Sequence, residues 1–382
     1  MPNFLYIGGF KDMKKTKLIP AFVALLSVAG LASCGGSAKT YEYALITDVG
    51  DIDDESFNQS AWEATKEFAE SKNKTVAYYR PTEDSNSARL VSIDQAVKKG
   101  AKVVVCPGYL FETPVYEAQT KYPDVKFILL DGNPHTEDYG TYKTESNAVG
   151  MTFQEEISGF FAGYAAVKEG NRDLGFCGGM AVPAVQRFGS GFVQGVDAAA
   201  KELKVNTTVK YYYAGAFQAT DEATAKMKTW YTGGIDCVFA SGGKVYQSVV
   251  EGIKSGKSTA TWIGVDTDQS SVDTKVLTSA TKGLKQAVTS SLECYYNGAW
   301  SDIGGASYNL GLASEFGKLD KRDYVELPTS DKAWRFSNFT KDEYKALVAA
   351  CKDGTYAISN DVSKEPTVST YTTVTYETKF AN

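Results

Sequence analysis

Twice in succession this chain alternates short apolar runs with amphipathic stretches, and that alternation limits its fold more than any other feature. Strands are expected at residues 41–47, 76–79, 102–106 and 125–130, with helices at 57–71, 88–99 and 114–121 between them. Within 57–71, Phe57, Ala61, Trp62, Thr65, Phe68 and Ala69 share one helical face. Gly100 closes the second helix. A β-α-β-α-β-α-β order predicts a parallel sheet covered by helices. The order restarts after residue 150, with helices at 157–168, 184–203, 220–231 and 245–255 and strands at 173–177, 208–213, 237–240 and 261–265. The expected class is therefore α/β: two Rossmann-like lobes with parallel sheets and a ligand cleft between them. Residues 339–351 read as a further helix, and the Thr-, Val- and Tyr-rich stretch 359–380 as edge strands.

The beginning of the chain constrains where it works. Lys14, Lys15 and Lys17 precede a mostly apolar run over 18–32, closed by Leu31-Ala32-Ser33-Cys34. A charged, then apolar, then small-residue order is that of a secretory leader. The run is about 15 residues, short of the ~20 needed to span a bilayer as a helix. Met13, directly before the lysines, is the better start for such a leader. Residues 1–33 are thus read as a signal peptide and 34–40 as a flexible tether. Cys after Leu-Ala-Ser resembles the lipobox of bacterial lipoproteins. That implies a lipidated Cys34, a membrane anchor, and a mature protein outside the cytoplasmic membrane.

About 350 residues then remain, enough for two domains of ordinary size. The expected boundaries are 41–146 plus about 268–303 for one lobe, and 147–267 plus about 304–382 for the other. Formal net charge is −6, and loss of the leader's four Lys and one Asp makes it −9. With no basic run, nucleic acid is excluded as a partner. Cys106, Cys177, Cys237, Cys294 and Cys351 are odd in number and widely spaced, so no disulfide framework or zinc site is predicted and they read as small buried hydrophobes. His135 is the single histidine, too few for a His-based metal site, and no Ser or Cys has a base at readable spacing. The chain is read as a monomer, not an enzyme, with no cofactor; the glycines at 175, 178 and 179 lack the dinucleotide-binding order.

In α/β sheets ligands sit beyond the carboxyl ends of the strands. Asp48, Asp131, Gly178, Gly242 and Asp266 occupy such ends. The acidic stretch 47–59 admits three readings. EF-hand spacing is absent, which disfavours calcium. Acids also cap helix N-termini. The third reading is a ligand loop in which Phe57 is a flat wall and Asp48 and Asn58 are polar contacts.

The stretch 44–62 resembles the basic membrane protein family of nucleoside-binding lipoproteins. Further matches follow in order: 127–131 (FILLD), 175–183 with 187–192 (GFCGGMAVP, RFGSGF), 215–217 (GAF), 240–243 (ASGG), 264–269 (GVDTDQ) and 277–282 (LTSATK). The similarity runs from about 41 to 310. It departs at Lys244-Val245-Tyr246, where a Gly-rich run is common, and at Gln218-Ala219, where an Asp-containing turn is common.

The resemblance implies a type I periplasmic-binding-protein fold and delivery of purine nucleosides to the permease and ATPase subunits of an ABC importer. It implies a site of Asp48, Ser56, Phe57, Asn58, Asp131, Phe217, Gly242, Asp266 and Lys282. Phe57 and Phe217 would sandwich the base, Asp131 and Asp48 would accept from its N–H groups, and Asp266 with Lys282 would serve the ribose hydroxyls. Competing readings are a riboflavin-like or sugar-like ligand, an extracellular nucleoside-cleaving enzyme, and a surface adhesin or sensor.

Overall fold

A computed structural model describes residues 40–381 apart from Val49; the leader and Cys34 lie outside the described residues. The first unit runs β1 (Tyr43–Ile46), α1 (Phe57–Ser71), β2 (Val76–Tyr79), α2 (Asn86–Lys98), β3 (Val103–Pro107), α3 (Glu112–Lys121), β4 (Lys126–Leu130) and β5 (Ala148–Phe153). The second runs α4 (Glu155–Glu169), β6 (Asp173–Gly178), α5 (Pro183–Leu203), β7 (Thr207–Tyr213), α6 (Asp221–Thr232), β8 (Cys237–Ser241), α7 (Tyr246–Ile253), β9 (Thr261–Asp266) and β10 (Val276–Lys282). The chain continues as α8 (Leu284–Tyr296), β11 (Ala306–Leu310), β12 (Val325–Glu326), α9 (Lys341–Lys352) and β13 (Thr372–Tyr376).

The described strands form two sheets, in the orders β11-β5-β4-β3-β1-β2 and β12-β10-β9-β8-β6-β7-β13. All pairings are parallel except the short β10–β12 pair. Parallel strands need cover on both faces, which is why Val103 to Cys106 is apolar without alternation. Tyr43, Val103, Val105, Ile128 and Leu130 pack with residues of α1 and α8; Ala44, Val104, Cys106 and Phe127 pack with residues of α2 and α3. In the second sheet Phe176, Phe239 and Ile263 meet α4 and α5, while Val238, Ala240 and Trp262 meet α6 and α7.

Three segments sit with the other lobe from the one their expected boundaries assigned. Residues 148–153 and 306–310 pair in the first sheet, and 276–282 pair in the second. The chain changes lobe when it leaves a strand's carboxyl end, not before the strand begins. The crossings therefore fall at 153–155, 282–284 and 310–325. They are tied together: Gln154 N–H donates to Leu310 O (2.9 Å), Tyr324 N–H to Gly311 O (2.8 Å) and Gly283 N–H to Tyr324 O (2.7 Å). Of the Thr-rich tail, only Thr372–Tyr376 is strand, at the edge beside β7.

Helices α4 and α5 approach closely because glycines face backbone across their contact. A β-carbon at Gly159 or Gly163 would strike the carbonyl of Phe188 or Phe192, and one at Gly191 or Gly195 that of Glu156 or Phe160. The packing brings Arg187 and Phe188 of α5 beside Glu155 at the start of α4. Cys106, Cys177, Cys237 and Cys294 are buried free thiols and Cys351 is half-buried; burial pushes the thiols of Cys177 and Cys237 up to about 12.

Candidate functional site

The loops that leave the carboxyl ends of both sheets converge on a cleft that, counted out to open solvent, holds about 740 Å³. From the first lobe, the β1–α1 loop supplies one wall. Asp54 fixes that loop: it accepts from the N–H groups of Ser56 (2.9 Å), Asn58 (3.1 Å) and Gln59 (3.1 Å) and from Asn58 Nδ2 (3.1 Å). It thus satisfies the N-cap donor and two of the free donors of the first turn of α1. Burial pushes its carboxyl up to about 6, against the pull of those donors. Phe57, the first residue of that turn, is thereby held over the cleft. Asp48 accepts from Gly50 N–H (2.6 Å) and Asn58 Nδ2 (2.9 Å), and burial raises its carboxyl too.

The floor is an ion cluster at the crossings. Lys282, at the end of β10, has a side chain only 2% exposed. Its ammonium lies 2.5 Å from Asp131 Oδ2, 3.2 Å from Glu155 Oε1 and 3.6 Å from Asp266 Oδ1. The rings of Phe57, Phe153 and Phe188 surround it at 4.8, 5.5 and 5.6 Å. Burial alone would lower this amine; the carboxylates of Asp131, Glu155 and Asp266 outweigh burial and hold it protonated. The acids have other partners to different degrees. Glu155 Oε2 takes Arg187 Nε–H at 2.6 Å, and Asp266 Oδ2 takes the Ser56 hydroxyl at 2.6 Å. Asp131 Oδ1 is buried with no hydrogen-bond partner. Burial raises the Asp131 carboxyl, and Lys282 opposes that rise. Asp131 directly follows β4 and Asp266 ends β9, with φ of 56° and 65°. That left-handed backbone is uncommon outside glycine, Asp being among the more tolerant residues. It turns both carboxylates off their strand ends toward one ammonium.

The second lobe supplies the opposite wall. Phe217 follows β7, and its ring lies against glycine backbone: a β-carbon at Gly179 would overlap it, and one at Gly242 would stand 3.0 Å from it. Gly242, with φ of 123°, is thus required both by its backbone and by the ring. Phe188 and Val182 of this lobe and Tyr109 of the first add to the apolar lining, and Ser241 Oγ is a second buried atom there with no partner.

A model of the ABC transporter substrate-binding, PnrA-like protein family (Bmp) matches residues 42–343. The chain belongs to this family. The ABC transporter nucleoside-binding protein BmpA of Lactococcus lactis subsp. cremoris is 30% identical over 275 residues, covering 67% of this chain and 75% of that one. An uncharacterized lipoprotein of Pyrococcus abyssi is 25% identical over 356 residues, covering 88% and 85%. Among solved structures, an ABC transporter solute-binding protein of Aeropyrum pernix K1 superposes with a TM-score of 0.65 at 20% identity, over 84% of this chain and 87% of that one. The fold is thus the α/β, periplasmic-binding-protein type, and the family is one of solute-binding proteins that serve ABC transporters.

Within this Bmp-family chain, Asp48, Phe57, Asn58, Asp131, Phe217, Gly242, Asp266 and Lys282 all line the one cleft. Ser56 does not line it; it is fully buried and orients Asp266 from behind. Sequence reasoning separated Asp131 from the Asp266–Lys282 pair, whereas the fold joins all three. It missed Glu155, whose side chain is 0% exposed, along with Arg187, Phe188, Tyr109 and Ser241. The available signal for Glu155 was an acidic pair, Glu155-Glu156, opening an otherwise apolar helix.

Proposed function

We propose that this chain is the lipid-anchored capture protein of an ABC importer and takes purine nucleosides into the cleft between its lobes. The observation that carries this reading is the pairing of two aromatic walls with a fixed polar floor. Phe57 from one lobe and Phe217 from the other line the same space. A purine is flat and stacks on such rings, at ~1–3 kcal/mol per base. The floor offers an ammonium and two carboxylates in fixed positions, which suits vicinal ribose hydroxyls that both donate and accept. We therefore place the sugar at Asp131, Asp266 and Lys282 and the edge of the base at Asp48 and Asn58. Asp131 Oδ1 and Ser241 Oγ favour a polar ligand, since each unsatisfied buried group costs about 1–3 kcal/mol until a partner arrives. Carboxylates outnumber the cation in the lining, which disfavours a phosphate and favours an uncharged ligand.

The anchor at Cys34 and the position outside the cytoplasmic membrane rest on the leader pattern and on the lipoprotein relative. No helix among the described residues is long and apolar enough to cross a membrane. An enclosed ligand of about 20 heavy atoms at roughly 0.3–0.5 kcal/mol each gives ~6–10 kcal/mol, a micromolar or tighter site. Calorimetry on protein refolded free of carried-over ligand tests this, with guanosine, inosine, adenosine, their free bases and riboflavin. Heat with a purine nucleoside and none with riboflavin is expected. No heat with any nucleoside, or release of free base from inosine, refutes it.

A further inference from the structure

The two ring-bearing segments are connected at the rim of the cleft. Lys244 follows Gly242 and Gly243 after β8, and its ammonium stands 2.8 Å from Asp53 Oδ1 and 3.5 Å from Asp51 Oδ2. Arg80, just past β2, holds Asp51 from the other side at 2.5 Å. Both acids and Arg80 belong to the first lobe; Lys244 belongs to the second. The backbone N–H of Lys244 donates to the carbonyl of Phe217 at 2.8 Å. Asp53 directly precedes Asp54, whose carboxylate holds the turn that begins with Phe57. A side-chain ion pair at the rim thus ties the turn that seats Phe217 to the loop that seats Phe57.

We propose that Lys244, with Asp53 and Asp51, is an electrostatic latch that holds the lobes closed and sets how long a ligand stays between the two rings. This rests on the reading of the cleft as a ligand site. Lys244 does not line the cleft, so it acts on the ligand through Phe217 and is a positioning residue. The same loop makes two further bonds to the second lobe. Ser56 Oγ donates to Asp266 at 2.6 Å, and Gln269 Nε2 donates to the carbonyl of Glu55 at 2.8 Å.

Those two lie inside. The latch lies outside, with the Asp53 side chain 78% exposed. Of the three ties it is the one between two full charges at the surface, and such an exposed pair weakens as salt rises while buried contacts are screened far less. An exposed pair adds little to global stability. Opening the cleft breaks it every time, so its strength appears in the rate at which a ligand leaves.

The test uses Lys244→Ala, Lys244→Glu and the charge swap Asp53→Lys with Lys244→Glu. Two quantities are read at about 50 mM and about 500 mM salt, either side of effective screening. One is amide hydrogen exchange of residues 50–58 in ligand-free protein. The other is the dissociation rate of a purine nucleoside in stopped flow. At low salt, Lys244→Ala is expected to speed both by roughly two- to fivefold, as befits an exposed pair. Lys244→Glu should speed them further, and the swap should return them toward wild type. At high salt the wild type should approach Lys244→Ala. The latch is overturned if Lys244→Ala leaves exchange and dissociation unchanged. It is equally overturned if the difference is as large at high salt, or if the swap behaves no better than Lys244→Glu. If no nucleoside binds at all, the ligand assignment fails, while exchange in the ligand-free protein still decides the latch.

Discussion

Replacing Lys282 by Met isolates the charge at the floor of the cleft. Met keeps an unbranched apolar stem among the rings of Phe57, Phe153 and Phe188, so packing is largely retained. What is lost is the ammonium among three buried carboxylates. The loss is uneven. Glu155 keeps Arg187 and Asp266 keeps the Ser56 hydroxyl, but Asp131 loses the partner of its Oδ2 and has none at Oδ1. A buried charge stripped of its partner costs about 3–5 kcal/mol, and here that cost falls mainly on Asp131. The penalty applies only while Asp131 is ionised. Its carboxyl is already raised by burial, and Lys282 is the main group pulling it back down, so without Lys282 it rises further. Burial holds the wild-type Asp131 carboxyl up at about 7, so the two proteins differ in its protonation only between about pH 7 and 8; urea unfolding of ligand-free protein should therefore show Lys282→Met destabilised more at pH 8 than at pH 5, by about 1 kcal/mol. Adding Asp131→Asn should recover most of the loss at pH 8, since Asn also tolerates the left-handed backbone at this position. A Lys282→Met protein equally destabilised at both pH values, or unimproved by Asp131→Asn, would refute the reasoning.

Phe57→Ala and Phe217→Ala should each weaken nucleoside binding by ~1–3 kcal/mol in calorimetry while leaving apo unfolding nearly unchanged, as stacking walls and not core residues would. Asp266→Ala should weaken binding of any nucleoside that keeps its ribose hydroxyls and matter little for 2′,3′-dideoxynucleosides; Asp48→Asn should instead change the ranking among bases. Burial, with Glu155 adding repulsion, pushes Glu156 up to about 7, so ionising it costs native stability as pH rises from the ordinary carboxylate range to about 7. Glu156→Gln avoids that cost: the two proteins should match well below about pH 4.5, and Gln should be more stable by about 3–4 kcal/mol above pH 7. Cys34→Ala should move the protein from the membrane to the soluble fraction on cell fractionation, and a mutant that stays membrane-bound with its leader removed would contradict the anchor.

The α/β class was legible because a buried parallel strand must be apolar on both faces and its covering helix on one. Val103 to Cys106 beside residues 88–99 carries both periods in local sequence. The acids at strand ends were legible for a related reason: a charge directly after a fully apolar run has to leave the sheet at its rim. Asp48, Asp131 and Asp266 were found that way, and Phe57 and Phe217 through the motifs that hold them. Periodicity does not carry membership. Residues 148–153, 276–282 and 306–310 read as strands of either lobe, because only pairing with a neighbour distant in sequence decides which sheet a strand joins.

The ion cluster depended on the same long-range decisions. Glu155, Asp131, Asp266 and Lys282 are up to 151 residues apart, and no local pattern links them. They meet because the crossings converge and because facing glycines let α4 and α5 close on each other. Which residues can carry charge was settled locally, by composition at strand ends. Which charges share one ammonium was settled by the tertiary structure, since a buried ion is tolerable only where the fold brings its partners within a few ångströms.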